Sequence, residues 1–214
     1  ERSPEGPVSQ ITLARADREK DCQHLISYAI GCIRGRYSLD REGLVYAHAG
    51  NQGFAELAAE GAYKSFPADD DGILPLTDQE WFSDDATNRF REFVRTVWAG
   101  PEGATEQEQS QRLQENLNFV AASLCLHAIK PKSGESALDT IRRYLSTQFY
   151  KDHLKTYKKR PIYWLFSSGK HKAFEALVYL HRYNAGTLSR MRMEYVVPLQ
   201  SRMQSLIESL DHDI

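Results

Sequence analysis

The chain has 214 residues, of which 41% are hydrophobic and 26% charged, and that usage excludes a disordered tail, a collagen-like repeat and a polar linker. No apolar run approaches the ~20 residues that span a bilayer, and the opening ERSPEGPVSQ is too polar for a signal peptide. The net charge of -2 is small, so no polyanionic or polycationic character governs the chain as a whole.

In chain order, residues 1–16 read as a linker or the end of a preceding segment. Cys22, Leu25, Ile26, Ala29, Ile30 and Ile33 then recur at offsets of three and four and predict a helix. Gly31 and Gly35 within it are read as permitting close packing or ending the helix. Leu44 to His48 is predicted as a short strand closed by the turn residues Gly50 and Asn51, with a short helix over Phe54 to Glu60. Pro67 to Gly72 is an acidic turn leading into Ile73 to Leu76. Thr77 followed by Asp78 and Glu80 predicts a helix start. Phe90, Phe93, Val94, Val97 and Trp98 give the cleanest amphipathic pattern. Gly100 to Gln111 reads as a mobile surface loop, and Leu113 to Leu124 as another helix.

Ser136 and Asp139 approximate a capping box opening a helix with Leu138, Ile141 and Leu145. Phe149 to Lys159 continues as a basic helical stretch that Arg160-Pro161 breaks. Ile162 to Phe166 is predicted as a buried strand. Ala173 to Tyr183 fits a strand or a helix, and a hairpin with 162–166 is preferred. Thr187 caps a final helix that Pro198 bends or interrupts. The expected fold is α+β and predominantly helical, with several amphipathic helices and a small antiparallel β-hairpin near 160–183. The portions are 1–16, an acidic 17–129 and a basic 130–214, with 17–214 read as one domain.

The small net charge conceals this asymmetry. Residues 1–129 carry 12 basic against 21 acidic side chains, and residues 130–192 carry 14 against 4, a local balance of +10. A block of that sign attracts phosphate backbones, and the plainer alternative is that it faces the acidic half of the same molecule. Within 151–192 the basic residues interleave with aromatics. Lys155, Lys158, Lys159, Arg160, Lys170, Lys172, Arg182, Arg190 and Arg192 are the candidate DNA-binding residues, placed to contact phosphates. The aromatics among them are read as core rather than as stacking surfaces for bases.

Catalytic signatures are missing. Ser168-Gly169-Lys170 ends like a Walker A loop, but Trp164 stands where its first glycine belongs and His171 where a Ser or Thr belongs. There is no GxSxG, HExxH or kinase motif. Asp69-Asp70-Asp71 could hold a divalent cation, and a solvated turn is the better reading. His181 lies in an apolar stretch and is read as a structural histidine. Cys22, Cys32 and Cys125 lack zinc spacing and are read as buried thiols of a protein in the reducing cytoplasm.

Several segments together resemble the PglX-type methyltransferases of BREX anti-phage systems. They are Ile26 to Cys32, Gly35 to Asp40, Ala68 to Pro75, Asp84 to Phe90, Gly134 to Ser136, Ile141 to Leu145 and Lys151 to Lys155. Lys159 to Lys170 (KRPIYWLFSSGK), Tyr179 to Tyr183 and Thr187-Leu188 complete the set. The resemblance covers most of the chain in order. It implies S-adenosylmethionine-dependent N6-adenine methylation of duplex DNA by the whole protein. The family's Asn-Pro-Pro-Tyr and glycine-rich cofactor motifs do not occur in this sequence. The chain therefore resembles a non-catalytic C-terminal part, with no catalytic, cofactor or metal residue to transfer. Implied partners are double-stranded DNA, the remainder of the methyltransferase, other BREX proteins and a phage DNA-mimic inhibitor, with no membrane. The alternative function is docking of those proteins. The chain is expected to be a piece cut from a longer protein.

Overall fold

A computed structural model describes residues 2–3, 6–7, 17–47, 53–98 and 100–212. At its start β1 (Arg2–Ser3) and β2 (Gly6–Pro7) form a two-residue antiparallel ladder. Helix α1 (Arg18–Ile33) opens at Asp17, whose carboxylate accepts the Lys20 N–H, and its predicted stripe is buried at Cys22, Ile26, Ala29, Ile30 and Ile33. Gly31 is needed for close approach, because the Tyr37 ring occupies the space a Cβ would take. Gly35 turns the chain at φ +74° with the Phe54 ring pressed against it. Over 44–47 the predicted strand 44–48 does not form: this stretch is bends and coil, with the Val45 N–H donating to the Arg36 carbonyl at 2.9 Å and the Tyr46 carbonyl accepting from the Tyr179 hydroxyl at 2.6 Å. His48 and the Gly50-Asn51 turn lie outside the described residues.

The short helix α2 (Phe54–Ala59) forms as expected. Two helix starts fall elsewhere than predicted. Thr77 caps nothing; its hydroxyl donates to the Gln79 carbonyl at 2.6 Å, and helix α3 (Ala86–Val97) begins behind Asp85, which accepts the Asn88 N–H at 2.9 Å. Residues 106–111 are not loop but the opening of α4 (Glu106–His127). Thr105 and Glu108 make a reciprocal capping box, and the Glu/Gln-rich turn that follows is good helix material. The Ser136–Asp139 box opens α5 (Ala137–Tyr144), which continues through a π-helical turn, Leu145–Phe149, into α6 (Tyr150–Thr156).

The expected hairpin is present as β4 (Tyr163–Ser167) and β5 (Glu175–Tyr179), antiparallel, with Trp164 opposite Val178. A third strand not foreseen, β3 (Ile73–Pro75), pairs with the far edge of β5, giving the order β3-β5-β4. The C-terminal segment runs α7 (Thr187–Arg190), a π-helical turn Met191–Val196, and α8 (Val197–His212). Thr187 lies inside α7 behind Gly186, and its hydroxyl accepts the Asn184 N–H. The widened turn just before Pro198 accommodates a residue that lacks an N–H and crowds the carbonyl four residues back.

Two apolar clusters position the sheet. Tyr163, Leu177, Tyr179 and Leu74 face the larger one, built on α1, α3, α4 and α5 and drawing on both the acidic and the basic portion of the chain. Ile73, Ala176 and Val178 face the smaller one, closed by Met191, Tyr195 and Leu199 with Phe82 and Phe174. The period-two alternation thus places the sheet between the helical core and the C-terminal helices. Cys22 and Cys32 are buried and Cys125 half-buried, all as free thiols. Among the described residues no helix is long and apolar enough to cross a membrane.

Candidate nucleic-acid interface

The nine basic residues singled out from sequence do not share one surface. Lys155 is exposed on the last turn of α6 and touches Asp152 at 3.3 Å. Past that turn, bonds from Lys158 N to the Lys155 carbonyl and from Lys159 N to the Leu154 carbonyl fold the chain back, leaving Lys158, Lys159 and Arg160 exposed. Lys170 and Lys172 project from the β4–β5 turn. Lys172 reaches Glu175 at 3.2 Å. Loops 158–160 and 170–172 therefore stand at opposite ends of β4, about 17 Å of strand apart at about 3.3 Å per residue.

These loops carry an unusual backbone. Lys158, Lys159 and Lys172 have φ of 49°, 64° and 50°, and they are the non-glycine residues with positive φ among the described residues. A helix end or tight turn usually places glycine there, because a Cβ costs about 1–2 kcal/mol in that conformation. A lysine at each such point is held in a conformation that glycine would adopt at lower cost.

The other three arginines are placed differently. Arg182 is a correction to the candidate set: its side chain is 6% exposed, bonded to Asp69 Oδ1 and laid over the Phe54 ring at 3.7 Å. Asp69 Oδ2 is taken by Arg34, whose side chain is fully buried and also donates to the Gly72 carbonyl. Burial pushes the Asp69 carboxyl up, opposed by the two guanidiniums. Arg190 is exposed but pairs with Glu194 at 3.2 Å and lines a cleft of about 390 Å³ with Asp69, Asp70, Asp71 and Asp84, a poor setting for a phosphate. Arg192 lies on the π-helical turn, exposed, away from both loops in sequence.

The acidic turn is likewise not simply solvated. Asp69 is the centre of that ion cluster, and Asp71 accepts the Ile73 N–H at 2.8 Å. The Tyr195 hydroxyl lies 2.6 Å from Asp71 and 2.9 Å from Asp84, and burial followed by the two carboxylates drives its pKa up. Among the described residues no His, Cys, Asp or Glu group is arranged to hold a metal ion.

Among the described residues the buried histidine is His153, and His181 is exposed beside Tyr179. His153 Nε2 accepts the Ile162 N–H at 3.2 Å, and the ring lies between Tyr157 and Tyr163 with centroids at 4.7 and 4.8 Å. Burial first, then Arg36, lowers its pKa to about 4, so the ring is neutral. This bond ties α6 to the start of β4 and so fixes the ends of the 158–160 loop. The spacing Phe149-x3-His153-x3-Tyr157, one helix face of rings, was the signal available in the sequence. The prediction of a buried 162–166 strand also needs correction. Tyr163 is 2% exposed but Trp164 is 48% exposed, because neither face of this edge strand is covered along its whole length.

No family model matches the chain. It is 68% identical over 203 residues to "Adenine-specific methyltransferase BrxX" of Escherichia coli O9:H4 (strain HS), covering 95% of this chain. It is 40% identical over 213 residues to "Adenine-specific methyltransferase PglX" of Lacticaseibacillus casei (strain Zhang), covering 98% of this chain. In each case the chain spans 16% of the relative's length.

Proposed function

This chain is a C-terminal region of a PglX/BrxX-type protein, and from that premise we propose that it is a non-catalytic module that engages duplex DNA for an adenine methyltransferase. The observation that carries the reading is the pair of exposed lysine loops, 158–160 and 170–172, held in left-handed backbone at both ends of β4. Lys158, Lys159, Arg160 and Lys170 have no ion-pair partner among the described residues, so their charge is available to phosphates. Phosphate contacts of this kind position a protein on DNA without reading its sequence. Methyl transfer and S-adenosylmethionine binding belong, in this reading, to the rest of the polypeptide. An acidic protein that mimics DNA would be held by the same loops.

The test is duplex binding across a salt series. Each neutralised phosphate contributes about 0.9 to the slope of log affinity against log salt. Replacing Lys158, Lys159 and Lys170 together by Gln is expected to flatten that slope by about 2.7. An unchanged slope removes these lysines from the interface.

A second reading, protein docking, is favoured by α8. Leu206, Ile207 and Leu210 are 50%, 54% and 63% exposed on one side of its C-terminal half. Changing Leu206 and Leu210 to Glu is expected to weaken association with the remaining methyltransferase polypeptide while leaving the DNA salt slope intact.

A further inference from the structure

Between the two lysine loops, β4 carries aromatic surface that packing does not account for. Trp164 and Tyr183 are 48% and 40% exposed, with ring centroids 6.1 Å apart. Tyr183 also lies parallel to Phe166, 6.4 Å away and within 1° of its plane. Trp164 shares a sheet face with Phe166, which packs against the smaller cluster, yet about half of the indole remains exposed. Burying an indole stabilises a fold, so leaving half of it in water calls for another use.

The charge on either side indicates that use. Lys158, Lys159 and Arg160 precede the strand, and Lys170 follows it, all exposed. The ~17 Å between the loops matches about five nucleotides at about 3.4 Å each. Aromatic faces between cationic ends form a stacking surface for bases whose phosphates lie on the cations. A base paired within a duplex hides its faces, so the occupant is an unpaired one. We infer that Trp164 and Tyr183 stack on an unpaired DNA base while phosphates about two nucleotides to either side of it occupy the two lysine loops. The inference rests on the DNA-engaging reading above and adds to it the form of DNA preferred.

Two probes separate the claims: a duplex with a single unpaired adenine, and the same duplex fully paired. The wild-type chain is expected to bind the first about tenfold more tightly. Trp164→Ala and Trp164→Leu are each expected to abolish that preference while leaving affinity and salt slope on the paired duplex unchanged. Circular dichroism reports folding, and Tyr183→Ala, on a surface turn, supplies the same test should either Trp164 variant unfold. Equal affinity for the two probes, or a preference that survives Trp164→Leu in folded protein, overturns the stacking surface. If the preference is absent while the triple lysine variant still flattens the slope, only the stacking surface falls. If neither probe shows salt-dependent binding, the DNA reading falls and takes the stacking surface with it.

Discussion

The Arg34–Asp69–Arg182 cluster and the two lysine loops use the same sign of charge in opposite ways. In the cluster the guanidiniums are 0% and 6% exposed and converge on one carboxylate that joins α1, the acidic turn and the end of β5. In the loops the ammonium groups stand in solvent, those of Lys158, Lys159 and Lys172 on backbone that a glycine would adopt more cheaply. Guanidinium is planar and tolerates burial when it is paired through several hydrogen bonds, whereas ammonium is a strongly hydrated point charge. The +10 block is therefore two populations. Arg142, bonded to Asp85, and Arg182, bonded to Asp69, face the acidic half of the molecule, and the loop lysines do not.

The comparison breaks most severely at Asp69. Asp69→Asn leaves two buried guanidiniums without a countercharge and is expected to lower stability by about 3–5 kcal/mol in urea unfolding. A loss under about 1 kcal/mol would mean that water or another acid already compensates them.

His153 comes next. Its folded pKa of about 4 lies below the ordinary 6.5, so the unfolded chain takes up a proton that the folded one refuses. The resulting stability is complete above about pH 6.5 and is lost as pH falls toward 4, a change of about 3 kcal/mol at about 1.36 kcal/mol per unit. His153→Gln, which keeps an acceptor for the Ile162 N–H, is expected to flatten the pH dependence of unfolding in that window. An identical pH profile would show that His153 does not carry it.

In the loops the effects are smaller and differ in kind. Lys159→Gly is expected to raise stability by up to about 1 kcal/mol by relieving left-handed backbone, and at the same time to weaken DNA binding. A loss of stability would show that the Lys159 side chain supports the fold. The triple Gln variant at Lys158, Lys159 and Lys170 is expected to change the unfolding free energy by less than about 0.5 kcal/mol.

Much of this fold was legible because local rules and tertiary packing agreed. The apolar stripe of α1, the α3 core positions Phe90, Phe93 and Val94, the Ser136 capping box and the hairpin all follow from period and caps. Strand β3 was not legible: three residues ending in proline carry no strand pattern, and its partner β5 is about a hundred residues on. The start of α4 was hidden because its first turn is polar and lies beyond Gly103. Val45 shows the converse, an apolar residue buried in irregular chain rather than in a strand. For the candidate interface, the sequence located the basic segments but not their division. Nothing local distinguishes Arg182, which meets Asp69 across more than a hundred residues, from Lys170 in an exposed turn. Nor did alternation alone reveal that Trp164 stays half exposed, since coverage of an edge strand depends on distant elements.

The most direct measurement is to crosslink lysines to bound duplex DNA at moderate salt and map the modified residues. Crosslinks at both Lys158–Lys159 and Lys170–Lys172, with few at Lys130, Lys132 or Lys151, are the result expected if the two loops hold the phosphate backbone from either end of β4. Crosslinks spread evenly over the exposed lysines, or absent from one of the two loops, would contradict that arrangement.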